Sequence, residues 1–226
     1  MMQSRKHTAW KKNRKFGDIA GGRMRMKVTD NIFNRLHTLQ KPSSLDALPV
    51  FIIENPSRDF YFPLTKGEIQ AVLDTLPREH TQHITHIWLQ KVKKTEYQKG
   101  ETFQGCFVSG SGVNVLLLHP FPHDLKMRVG TQKPPQRVLN FYKHYSPLLH
   151  EDADGWYLQW TADDIKRYYA ETLLLHEIGH AIDSLHKRFW SKAARAKAEK
   201  YADNYAAVWA ATVRESGVIV NDTSDE

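Results

Sequence analysis

Two histidines and a glutamate interrupt an otherwise apolar run in LLLHEIGHAID, residues 173–183. Burying such groups is costly unless a partner meets them. Gly179 in the middle of the same run costs about 1 kcal/mol relative to Ala in a helix. His176 and His180 lie four residues apart, so on an α-helix they stack on one face and both imidazoles reach one ion. Glu177 is rotated about 100° from His176 around the helix axis, beside the position such an ion leaves open. This H-E-x-x-H spacing suits hydrolysis by metal-activated water, with Glu177 as general base.

A zinc ion needs a third protein ligand, and two residues compete for the place. His186 follows His176 by ten residues, where metzincins carry their third histidine. Those enzymes also need a glycine at the position of Asp183 and a later methionine turn, and no Met follows Met127. Glu199, in EKYADNYA, is the preferred ligand. It completes a His, His, Glu set with water in fourth position. Asp203, one helical turn on, can accept a hydrogen bond from the outer nitrogen of His176 and fix its tautomer. Ala202 and Ala206 on nearly the same face would let two helices approach closely. Asp183 shares the ligand face and reads equally as a supporting group or as a surface acid.

HEIGH followed by ExxAD resembles the gluzincin metallopeptidases. Within them it is most similar to the short-spaced catalytic domains of the HtpX-like and ImmA/IrrE-like proteases, over residues 173–207. EKYADNYA is similar to the Glu-x-x-Ala-Asn-x-Phe-Ala pattern of the latter, with Asp203 and Tyr205 as departures. The resemblance implies a zinc peptidase acting on protein or peptide substrates. It also implies a minimal zincin-like domain, in which an extended peptide pairs with a strand edge beside the active helix. Val113–Leu118 is the expected edge strand. A second oxyanion donor is implied as well, with Tyr142, His144, Tyr145, Tyr168 and Tyr205 as candidates. The competing readings are a non-enzymatic regulator retaining the fold and a DNA-associated protease of the SprT type. That latter family usually uses a third histidine and often a cysteine-rich zinc ribbon, whereas this chain has one cysteine.

The elements needed to position these residues are legible in part. Thr161 and Asp164 form an acidic capping box opening a helix that runs to about His186 without a breaker other than Gly179. A second helix starts near Ser191 and continues to Gly217. Upstream, VFIIE at Val50–Glu54 reads as a strand. Thr65 with Glu68 caps a helix carrying Ile69, Val72, Leu73 and Leu76 at helical spacing. HITHIWLQKV reads as a partly buried strand and GCFVSGSGVNVLLLHP as a hairpin that Pro120 and Pro122 bring to an end. NIFNRLHTLQ reads as a short helix ending before Pro42. Residues 123–160 read as loop-rich, with one short helix near Arg137–Tyr145, and EDADG at Glu151–Gly155 as a turn. The order predicts an α+β fold with a small mixed sheet, an active-site helix and a following ligand-bearing helix.

The chain of 226 residues carries a net charge of +7, with 41% hydrophobic and 25% charged residues. That suits one globular domain, expected over residues 46–226, with an appendage over 1–45. The charge is uneven: residues 1–30 hold nine Lys or Arg and two acids, leaving 23 of each sign elsewhere. The basic character therefore belongs to the N-terminal arm, where residues 1–27 are a candidate contact for nucleic acid. The single cysteine, Cys106, excludes an internal disulfide framework and leads to the expectation of a reducing, cytoplasmic setting. No apolar run approaches the ~18 residues of a membrane span.

Overall fold

A computed structural model describes residues 39–98, 104–110, 112–185 and 195–219. The basic arm, the helix read at NIFNRLHTLQ up to Thr38, and His186 lie outside the described residues. The fold is α+β, with small sheets and several helices.

Strand β1 (Val50–Ile53) leads through the short β2 (Phe60–Tyr61) to helix α1 (Lys66–Asp74). The expected capping box at its start is present: the Glu68 amide donates to Thr65 Oγ1 at 3.2 Å, and the Thr65 amide to Glu68 Oε2 at 2.7 Å. The helix buries Ile69, Val72 and Leu73. After α2 (Arg78–Thr81), β3 (His86–Leu89) and α3 (Lys94–Gln98), the hairpin of β4 (Gly105–Gly110) and β5 (Val113–Leu118) completes a sheet of order β1-β3-β5-β4. β1, β3 and β5 run parallel, and β4 is antiparallel at one edge.

This order corrects one expectation. β5 is interior, bonded to β3 on one side and β4 on the other. Its near-continuous apolar run VNVLLL is what a strand covered on both faces requires. Within the hairpin β4 is the edge strand, and it also packs against the histidine-bearing helix.

Residues 123–160 are more ordered than their sequence indicates. β6 (Phe121–Pro122) pairs with β2, and β7 (Lys126–Gly130) joins β8 (Leu148–Asp152) and β9 (Gly155–Gln159) in an antiparallel sheet of order β7-β9-β8. Short α4 (Gln136–Tyr142) and a 3-10 turn (Lys143–Tyr145) lie between them. The strands are masked in the sequence because only one face is apolar: Met127 and Leu158 are buried, while Arg128 and Tyr157 face outward across the pair. EDADG closes the β8–β9 hairpin, with Gly155 at φ +115°. A Cβ there would lie 2.6 Å from the Gly130 carbonyl oxygen.

The long helical run near the C-terminus is not uniform. Thr161 caps α5 (Ala162–Tyr168), but residues Tyr169–Leu174 form a π-helical turn before α6 (Leu175–Leu185). Such turns are rare and cluster at functional sites. Here Glu171, buried in the π turn, is held by Arg214 at 2.5 Å and Arg167 at 3.4 Å. Arg214 lies near the end of α7 (Arg195–Glu215), so this ion pair ties α7 to the root of α6.

Candidate metal centre

α6 and α7 form the most extensive helix contact of the described fold. Gly179 explains their closeness. A Cβ on Gly179 would lie 2.8 Å from the Ala202 Cα and 3.1 Å from the Tyr205 Cβ. The mid-helix glycine that costs α6 intrinsic stability therefore lets the two backbones nearly touch. Ala202 and Ala206 are both buried at this crossing, as their spacing implies.

The crossing brings the expected ligands together. Glu199 Oε2 lies 3.5 Å from His176 Nε2 and 3.5 Å from His180 Nε2. The two imidazole rings are 4.6 Å apart and nearly perpendicular. A tetrahedral ion with bonds of 2.0–2.1 Å separates neighbouring ligand atoms by roughly 3.3 Å. Among the described residues, this is the one group of three His, Cys, Asp or Glu side chains whose ligand atoms converge, all within 4.8 Å of one another. Asp203 Oδ1 lies 3.0 Å from His176 Nδ1, so the ring can donate its outer N–H there and keep Nε2 free.

The electrostatics suit a cation. Burial, and then the neighbouring His176, hold the His180 pKa below its usual value, favouring the neutral ring that ligates metal. Glu177 is buried, and this desolvation together with the charge of Glu199 pushes its pKa up to about 8. The Phe107 backbone N–H, on β4, donates to this carboxylate and partly offsets the rise. Glu177 Oε2 has no hydrogen-bond partner among the described residues. A buried carboxylate oxygen left unpaired beside two imidazoles and a second carboxylate fits a site that receives a cation and a polar reactant.

The remaining candidate residues resolve differently. Asp183 is buried, which overturns its reading as a surface acid, and its charge raises the pKa of His180. The oxyanion-donor candidates are engaged elsewhere. Tyr145 pairs with Thr172 at 2.6 Å, Tyr142 with Tyr168, Tyr205 with His80 at 2.9 Å, and His144 with Arg214 at 3.4 Å. His119 contacts the Gln90 carbonyl at 3.1 Å, while His123 stacks on Tyr61 and His150 on Tyr157, so none joins the cluster.

Two site features escape a linear reading. The Phe107 amide acts through its backbone, which carries no residue-type signal. His80, on α2, closes the far side of the crossing by packing edge-on against both Tyr205 and Trp209. Gly179 was detectable as an unfavourable glycine facing a later run of alanines. Searches of protein-family models, curated proteins and solved structures return no match to this chain.

Proposed function

We propose that the chain is a zinc-dependent endopeptidase in which His176, His180 and Glu199 hold the ion and Glu177 is the general base. The observation that carries this reading is the convergence of those three ligand atoms beside a buried carboxylate with an unpaired oxygen. Zinc would supply Lewis acidity, polarising a carbonyl and making water easier to deprotonate. Glu177, buried beside the ligand histidines, would serve both halves of a proton transfer, taking a proton from water and returning it to the leaving amine. The Phe107 amide orients its carboxylate for that task. Asp203 fixes the His176 ring, and the free edge of β4 offers backbone groups to an extended peptide.

The zincin-like resemblance of HEIGH and ExxAD supports the same reading. Zinc content and hydrolysis of an unfolded protein substrate, measured for the native chain and for Glu177→Gln, test it. The expected result is about one zinc per chain in both, with hydrolysis lost by roughly 10²–10⁴-fold in the variant. Bound zinc with no hydrolysis by the native chain would favour a non-enzymatic regulator. Equal hydrolysis in both would remove Glu177 from the chemistry.

A further inference from the structure

The mixed sheet has two apolar faces, and the helices account for one. Ile87, Leu89, Phe107, Leu116 and Leu118 point into the main core with α1 and α6. The alternate residues Val113, Val115 and Leu117 form a separate cluster on the opposite face, packed against Trp88, Cys106, Val108 and Leu39. Val113 and Val115 are 0% exposed. Trp88, Cys106 and Val108 belong to neighbouring strands and flank the cluster from within the sheet, so they cannot cap it. Among the described residues, Leu39, at the start of the described chain, is the one member of the cluster from outside the sheet. Next to it, the Lys41 side chain approaches Gly112 at the β4–β5 turn, 3.2 Å from where a Cβ would sit.

We infer that residues 31–39 dock as an amphipathic helix across the outer face of the mixed sheet, over Cys106, Val108, Val113, Val115 and Leu117. Ile32, Phe33, Leu36 and Leu39 recur at i, i+1, i+4 and i+7, the spacing of one apolar stripe, while Asn34 and Thr38 fall on the other side. Ile32 and Leu39 on a helix are about 10 Å apart along the axis. β3, β5 and β4 together span about 10 Å between their outer strands. The stripe therefore matches the width of the face, and its last residue is already seated there. Parallel strands are found covered on both faces, and this segment supplies the second cover. The folded unit then begins near residue 31 rather than 46, leaving the basic run of residues 5–27 as the tail. This inference is independent of the peptidase reading.

Cys106 lies on the covered face and is the only cysteine, so it serves as a built-in probe. In the full chain, Leu36→Cys and Asn34→Cys are each treated with a short bismaleimide and analysed by mass spectrometry. The expected result is an intramolecular link from position 36 to Cys106 and at least tenfold less from position 34. Maleimide labelling of Cys106 should also accelerate at least tenfold in Leu36→Asp, with circular dichroism showing that the fold persists, and stay unchanged in Asn34→Asp. Links only between two chains would show that a second copy covers the face and overturn the assignment. Equal linkage from positions 34 and 36, or no linkage together with unaltered Cys106 labelling, would overturn it as well.

Discussion

The α6–α7 crossing and the small antiparallel sheet treat charge in opposite ways. On the sheet, Lys126, Arg128 and Asp152 answer one another. Arg128 meets Asp152 at 2.6 Å and Asp154 at 3.6 Å, Lys126 meets Asp152 at 3.5 Å, and Lys126 also sits 4.4 Å above the Tyr157 ring. At the crossing, Glu177, Glu199 and Asp203 crowd around two imidazoles, and Glu177 Oε2 stays unpaired among the described residues. The first arrangement is complete as it stands and serves the fold. The second leaves the buried Glu177 Oε2 without a partner among the described residues, which carries a desolvation cost. Charged residues alone therefore do not distinguish a site from a scaffold; the state of their partners does.

The contrast can be broken most severely at Glu199. Glu199→Ala should abolish stoichiometric zinc binding, and with it hydrolysis, while the chain still folds because the side chain is half exposed. Metal analysis after dialysis reads this directly, and retained zinc would transfer the third-ligand role elsewhere. Gly179→Ala comes next. Helix propensity alone predicts a gain of about 1 kcal/mol. The 2.8 Å approach to the Ala202 Cα predicts instead an overpacking loss of about 1–3 kcal/mol, with weaker zinc binding as the helices separate. Adding Ala202→Gly should not restore stability, since the nearest atom belongs to the backbone. Thermal unfolding in chelator and zinc titration give the two readouts.

Asp203→Asn should keep the fold and lower zinc affinity by roughly 10–100-fold, because it weakens the group orienting His176. A competition titration against a chromogenic chelator measures that change. The smallest effect belongs to the sheet. Hydrogen bonding from Arg128 holds the Asp152 pKa down at about 2, from a usual 3.8. A depressed carboxylate contributes stability that is complete above its unfolded value and lost as pH falls towards the folded one. Asp152→Asn should therefore leave zinc binding unchanged and remove a shallow acid-dependent loss of stability between about pH 4 and 2. Parallel unfolding curves across that range for both proteins provide the check, and altered zinc content would show that the two regions are coupled.

Legibility followed how local each feature is. The capping box at Thr65 and the N-cap at Thr161 rest on contacts three residues apart, and both were legible in the chain. So did the turn at Glu151–Gly155 and the helical face shared by His176 and His180. The sheet over residues 126–159 did not, because its strands are five residues each and bury at most one side chain apiece, a pattern easily taken for loop. The edge strand was misplaced for a related reason. Apolar β5 and half-polar β4 both read as strands, and only pairing order says which one has a free side.

Residue chemistry and short-range spacing were determined by the sequence alone: two imidazoles on one helical face, a carboxylate turned aside from them, and an Asp one turn after Glu199. Backbone geometry within a helix repeats regularly, so these relations hold wherever the helix goes. Only the tertiary structure decided that Glu199 reaches both imidazoles, that Glu177 is buried and meets the Phe107 amide, and that β4 is the edge strand beside them. Those relations depend on how closely two helices cross and on which strands pair. Both are set by packing among residues distant in the chain, as at Gly179 and Ala202.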